Sequence, residues 1–485
     1  MDLSFKNALE KIDPEVLKPV LRQQPSETNK HFTKVAEAKG KHESVHINEY
    51  EGWEVPSNNF MISKVNANEL SAEYFYEKYV SQRRPIIIKG GLPDVSGLDK
   101  WKCNEYLKDQ AGDEQVMVER RSGDGDSFGR GNEVSMKFKY FLEMIDQGDE
   151  MHYLTTQDVE SNDDGRPDLM APFIKALQKT FPLRPNLMGN LVPQNINLWM
   201  GSSKDGASSG LHHDYHDNLY IVLRGRKRFR IYSPIDAEKM YTRGTLVKVH
   251  PNGRINYEGD ETTAYGADVR SDAAAKASTR KEIAEKMLEE AEAAVVGGKP
   301  GATKQLEKAE EELDAAMDAL IDAEIDSDED EQGDGGIFGD EENENEGGLF
   351  KDESEILKKG ISDIEDEHIT KKRRLVDKTV KNPDNFSRIQ PRLLDDLQHL
   401  KENYPSFLHA TVAYGDVEDG DILYLPASWF HEVTSFGGSN GHLAMNYWFH
   451  PPDSKNDFSS PYTSEFWPND FLRRLEDSGI TFKKP

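Results

Sequence analysis

Ser209-Gly-Leu-His-His-Asp-Tyr-His-Asp-Asn218 is the stretch on which the reading of this 485-residue chain turns. Side chains alternate between faces along an extended strand, so His212 and Asp214 share a side and His213 points away. An imidazole and a carboxylate two residues apart can therefore fill two adjacent positions on one metal ion. A third ligand must come from a distant segment. His431 is the best candidate, because the turn and strand Gly420-Asp-Ile-Leu-Tyr-Leu-Pro426 would carry it into the same barrel.

Two histidines and one carboxylate on one octahedral face leave three positions open, the facial donor set of non-haem iron(II) oxygenases. Two of these positions suit a bidentate oxo-acid and the third suits dioxygen. The far carboxylate of such an acid needs a fixed cation. Along Arg226–Tyr232, Lys227, Phe229 and Ile231 share one face while Arg226, Arg228 and Arg230 share the other. A lysine among inward apolar positions is costly unless it meets an anion, which makes Lys227 a sensible clamp.

The surroundings read as β-rich. Strands are expected at Arg84–Lys89, Gln115–Arg120, Asn195–Met200, Asn218–Leu223, Arg226–Tyr232, Ile422–Leu425 and His442–Phe449, with helices at Glu69–Tyr79, Asp99–Lys108 and Met136–Ile145. Glycine, proline and asparagine turns between the strands fit an antiparallel barrel or sandwich. The stretch Ser464–Ser478 reads as a helix that would cap the barrel or pair with a second subunit. Short helices are expected in 1–24 and a polar linker in 25–50.

Residues 260–384 are different material. Ala273–Val296 and Ala302–Ile325 are rich in alanine, glutamate, lysine and leucine and flank the turn Gly297-Gly-Lys-Pro-Gly301. They read as a helical hairpin with Met287 and Met317 as core candidates. Asp322–Glu346 carries thirteen acids and no base, too polar to offset its ordering entropy, so it reads as disordered. The basic cluster Lys371-Lys-Arg-Arg374 follows and matches a nuclear import signal, or simply balances the neighbouring acids. The chain thus divides into an N-terminal segment and linker (1–52), a first half-barrel (53–259), the insertion (260–384) and a second half-barrel with its terminal helix (385–485).

Composition narrows the classes. With 36% hydrophobic and 31% charged residues and a net charge of −29, the chain reads as a folded body with a solvated segment. Such a charge disfavours non-specific nucleic-acid or anionic-membrane binding; the acidic run reads first as solvated chain, with histone mimicry or binding of a basic protein partner as its alternative roles. One cysteine, Cys103, permits no intrachain disulfide and no cysteine-based zinc site. No apolar run approaches a membrane span, and the amino terminus lacks a signal-peptide core, so an intracellular protein of the nucleus or cytoplasm is expected.

At the residues quoted above the chain resembles the JmjC family, especially its cupin-like hydroxylases of the type that modifies an asparagine in hypoxia-inducible factor. His212 precedes Lys227 by fifteen residues, within Gly225-Arg-Lys-Arg228, and His431 precedes Asn446 by fifteen, within Met445-Asn-Tyr-Trp448. Met136-Lys-Phe-Lys139 is followed by a helical stretch and then by Tyr153-Leu154. The likeness covers roughly 55–260 and 384–452. It implies a double-stranded β-helix (a jelly-roll or cupin core) with added helices, Fe(II), 2-oxoglutarate and O2 as the reactants at the centre, and a protein substrate. It further implies that His212, Asp214 and His431 bind iron, that Lys227, Tyr153 and Ser209 contact the distal carboxylate of 2-oxoglutarate, and that Asn218 and Asn446 lie near the proximal one. Ser209 keeps the hydroxyl of the family's threonine without its methyl. Asp214 and His431 are 217 residues apart, and the 125 residues of the insertion account for most of that length. Hydroxylation of a protein side chain is the leading expectation. Lysine demethylation, tRNA-base hydroxylation and a catalytically silent scaffold are the alternatives.

Overall fold

Alternation along β9 (Arg226–Tyr232) sets the architecture, since Lys227, Phe229 and Ile231 are buried while the arginines between them are half-exposed. The computed structural model describes residues 47–56, 61–121, 132–159, 161, 167–259, 261–328, 383–438 and 440–477. The helices expected in 1–24, most of the acidic run and the basic cluster fall outside these.

In chain order the strands are β1 (Lys64–Asn66), β2 (Ile86–Lys89), β3 (Gln115–Arg120), β4 (Asn132–Lys137), β5 (His152–Leu154), β6 (Pro193–Gly201), β7 (Ala207–Ser208) and β8 (Asp217–Arg224), then β9. They continue as β10 (Leu246–Val249), β11 (Ile255–Tyr257), β12 (Val412–Glu418), β13 (Ile422–Leu425), β14 (Phe430–Phe436) and β15 (His442–Phe449). The larger sheet runs β1-β2-β13-β8-β15-β6-β5-β3-β4 and the smaller one β12-β9-β14-β7, with β10 and β11 paired separately.

The two sheets bury one apolar cluster between them, joining Ile87, Val222, Leu423 and Ala444 of the larger to Phe229, Ile231, Ala413 and Val417 of the smaller. On β15, Leu443, Met445, Tyr447 and Phe449 point the other way, into a second cluster with Phe138, Phe141, Leu142 and Ile145 of a helix. Both faces of the larger sheet are thus covered, which explains its near-continuous apolar strands. The even positions of β15, including His442 and Asn446, are left facing the barrel interior with those of β8, including Asn218 and Tyr220. This is the jelly-roll core that the sequence leads one to expect.

Several local elements differ from expectation. Met136–Ile145 is not one helix: Asn132–Lys137 pairs with β3, and the helix starts at Phe138. Ladder hydrogen bonds along the sheet edge override the local helical periodicity there. Glu69–Tyr79 resolves into a 3-10 turn, a helix over Ala72–Phe75 capped by Ser71, and a π turn over Tyr76–Val80. In the insertion, helices Val269–Val296 and Ala302–Asp328 pack on each other, the second running further into the acidic stretch than expected. Met287 and Met317 do not form their core, being 39% and 45% exposed. Alanines every seventh residue do: Ala277, Ala284 and Ala291 are buried on the first helix and Ala302, Ala309 and Ala316 on the second. Small side chains let the two backbones approach closely.

Candidate metal centre

His212 occupies an isolated extended bridge and not a ladder strand. On one edge its N–H donates to the carbonyl of His431 at 3.0 Å, and the N–H of His431 donates back at 2.6 Å. On the other edge it bridges Phe386, flanked by Ser387 N–H to Leu211 O at 2.8 Å and His213 N–H to Asn385 O at 3.2 Å. The two-residue spacing still works, because the segment is extended. His212 Nε2 lies 4.0 Å from Asp214 Oδ1, and His431 Nε2 lies 3.7 Å from Asp214 Oδ2. One donor atom from each of the three lies within 4.8 Å of the others. His213 leaves on the opposite side, where its Nε2 meets the Tyr257 hydroxyl at 2.9 Å.

The same local turns orient both rings. His212 Nδ1 donates to Gly210 O at 3.0 Å, and His431 Nδ1 donates to Trp429 O at 2.9 Å. A proton held at Nδ1 leaves the Nε2 lone pair as a ligand atom. Burial, reinforced by the neighbouring His431 ring, pushes His212 down to about 4. Its imidazole is therefore neutral at physiological pH, the form a metal needs.

A cavity of about 220 Å³ opens beside these groups, lined by Asp214, Ser209, Asn218, Tyr153, Ser435 and Phe386 among others. Lys227, 1% exposed, lies behind Ser435. Its Nζ donates to Ser435 Oγ at 2.7 Å and to His442 Nδ1 at 3.1 Å, and sits 5.7 Å over the Tyr153 ring. Burial alone lowers it to about 7, and among the described residues no carboxylate forms an ion pair with it. The Tyr153 hydroxyl hydrogen-bonds with Ser435, and burial drives it well above the usual phenol range.

The remaining expected residues divide. Ser209 reaches the cavity wall, but its hydroxyl is engaged locally, accepting from Val433 N–H at 3.1 Å and donating to Gly210 O at 3.1 Å. Asn446 Nδ2 donates to Asn218 Oδ1 at 3.1 Å, and Asn446 Oδ1 accepts from Trp199 Nε1 at 3.0 Å. Asn218 lines the cavity, while Asn446 is fully buried behind it.

Three features escaped the sequence reading. His442 is fully buried with its Nδ1 against Lys227, a contact that nothing local in the sequence singles out. Phe386 stacks on His212, ring centroids 4.7 Å apart and 9° from parallel. Asp217 gathers the site's framework: its carboxylate is held by both terminal nitrogens of Arg83, by the Tyr424 hydroxyl at 2.7 Å and by Ala427 N–H at 2.9 Å. The only local signals were the odd acid within the β8 start and the return of apolar residues at Phe386 after a polar tract.

Residues 71–455 match the family described as "Cupin-like domain". The chain is 36% identical to JmjC domain-containing protein 4 of Schizosaccharomyces pombe over 422 residues, covering 82% of this chain and 86% of that protein. It is 27% identical to the human bifunctional peptidase and (3S)-lysyl hydroxylase JMJD7 over 36% of this chain and 56% of that protein. It is 25% identical to lysine-specific demethylase JMJ32 of Arabidopsis thaliana over 40% of this chain and 56% of that protein. No helix among the described residues is long and apolar enough to cross a membrane. With one domain match across most of its length and a relative aligned nearly end to end, this chain belongs to the JmjC-domain, cupin-like family.

Proposed function

We propose that this chain is an Fe(II)- and 2-oxoglutarate-dependent oxygenase that hydroxylates a side chain of a partner protein. Members of the family are typically oxygenases of this kind. One observation carries the reading: His212, Asp214 and His431 converge beside a cavity whose wall hides a buried lysine lacking any carboxylate partner among the described ion pairs. Both groups fit their ligands. Both histidines present Nε2 atoms with Nδ1 tied back, and a buried ammonium gains most from a carboxylate.

In this reading His212, Asp214 and His431 hold the iron and leave one face open. Iron with 2-oxoglutarate and dioxygen supplies the oxidising power, releasing succinate and carbon dioxide as one oxygen atom enters a substrate C–H bond. The protein does the rest. Lys227 takes the distal carboxylate, with Ser435 and the Tyr153 hydroxyl completing its hydrogen bonds. Asn218, steadied by Asn446 and through it by Trp199, faces the proximal end. Ser209 holds the His212 turn against β14. Tyr220, Phe229 and Val433 keep the wall apolar, so water is excluded around the reacting carbon.

For the target, the lysyl hydroxylase among the relatives puts lysine first, and the spacings shared with asparaginyl hydroxylases put asparagine second. Demethylation of a methyl-lysine uses the same C–H oxidation and is distinguished by formaldehyde release. The test is anaerobic titration with Fe(II) and 2-oxoglutarate, followed by succinate release on admitting oxygen. Wild-type protein is expected to bind one equivalent of each, and Asp214→Ala to lose iron uptake and succinate release while keeping its melting transition. A wild type that binds neither would end the oxygenase reading. Comparison of +16 Da modifications in cells with and without the gene then names the target.

A further inference from the structure

We infer that Phe386, on the segment where the chain returns from the insertion, is a positioning residue for the metal centre. The inference rests on the proposed iron site and concerns how that site is held. His212 has three neighbours that constrain its ring. Gly210 O fixes Nδ1 on one edge, His431 lies 4.3 Å away at a 54° tilt, and Phe386 covers a face at 4.7 Å and 9°. The first sets which nitrogen points at the metal. Only the third is a flat surface parallel to the imidazole, so it opposes rotation of the ring out of the plane in which Nε2 meets the other two donors.

The backbone argues the same way. After a turn at 384–385, Phe386 and Ser387 form a short extended rung, Phe386 bridging His212 and Ser387 bridging Thr242. Arg243 N–H donates to Phe386 O at 2.9 Å and Gly244 N–H donates to Asp384 O at 3.0 Å. Asn385 Nδ2 donates to His213 O, and Ser387 Oγ donates to Met240 O at 2.7 Å. The His212 bridge is thus pinned on both edges, by β14 on one side and by this rung on the other. Phe386 itself is only half-buried, and its ring lines the cavity. A residue kept merely for packing would turn that ring into the core. Here the core positions are Ser387 and Ile389, and Phe386 turns toward the ligand.

The test uses the whole protein, freed of metal and titrated with Co(II) alone. Phe386→Leu keeps an apolar side chain and removes the flat face, while Phe386→Tyr keeps the face. The leucine variant is expected to bind Co(II) about tenfold more weakly, the usual effect of losing a group that orients a ligand. Its visible d–d band should shift, and the tyrosine variant should restore both affinity and band. A leucine variant with wild-type affinity and an unshifted band overturns the inference, as does a tyrosine variant that behaves like leucine. If the wild type takes up Co(II), either result counts against Phe386 alone. If the wild type takes up none, the oxygenase reading falls first and this inference with it.

Discussion

Lys227 is a cation enclosed by neutral groups, and its chemistry follows from that. Burial holds it at about 7, far below an ordinary lysine. In the free protein it is charged below that pH and neutral above it. A bound carboxylate restores the charged form, so binding above pH 7 must take up a proton. The affinity for 2-oxoglutarate is therefore expected to be flat below pH 7 and to weaken toward about tenfold per unit above it. Calorimetry in buffers of different ionisation enthalpy reads both the slope and the proton. Lys227→Met should abolish the slope and weaken binding by one to two orders of magnitude, roughly the loss of a charge-assisted hydrogen bond. A slope that survives in Lys227→Met assigns the titration elsewhere. The stability sign is opposite. Between about 7 and the ordinary lysine value the unfolded chain holds a proton that the folded chain lacks, so stability of the ligand-free protein should rise with pH across that window. His212, Asp214 and Lys227 were readable as candidates because alternation and short spacings relate them, and His431 because of the strand before it and its fifteen-residue spacing to Asn446. Phe386 was not, since its partner is 174 residues away and no local pattern points to it.

Between elements, the Arg83–Asp217 pair does what no single strand can. Arg83 precedes β2, Asp217 opens β8 three residues after Asp214, and Ala427 lies four residues before His431. Tying Arg83, Tyr424 and Ala427 to the buried Asp217 carboxylate fixes the segments carrying Asp214 and His431 relative to the sheet. Arg83 is 3% exposed and Asp217 fully buried, so removing one partner strands a charge. Arg83→Met is expected to cost about 3–5 kcal/mol in urea unfolding, and Arg83→Met with Asp217→Leu to recover part of it. If the single variant costs under about 1 kcal/mol, the clamp is not structural. The insertion hairpin makes a contrasting case. Its helices were legible from composition, but its interface was not, because the eye follows isoleucine and methionine while the contact is made by alanine. Fully buried Ala284 leaves no room for growth. Ala284→Leu should destabilise the hairpin by about 1–3 kcal/mol, seen as faster amide exchange within 269–328. Unchanged exchange there would mean that the helices do not depend on close approach.

At the scale of the whole molecule, the barrel was legible and the distribution of charge now gives it a second meaning. Thirteen acids within Asp322–Glu346 amount to nearly half of the net charge of −29, and they begin in the last turns of the hairpin's second helix. The C-terminal helix Phe466–Asp477 packs against the first helix of that hairpin, with Ser464 Oγ donating to buried Asp272 at 2.8 Å. A dense negative field tethered in this way attracts a positively charged protein surface and adds to the encounter rate without touching the chemistry. Replacing the thirteen acids by their amides should therefore leave Fe(II) and 2-oxoglutarate binding unchanged. Association with a basic protein substrate should slow, and its dependence on ionic strength should flatten. The measurement is stopped-flow association between 0.05 and 0.5 M salt, a range over which the Debye length falls from about 14 Å to about 4 Å. Equal rates and equal salt slopes for the two forms would leave the acidic run with no part in substrate capture.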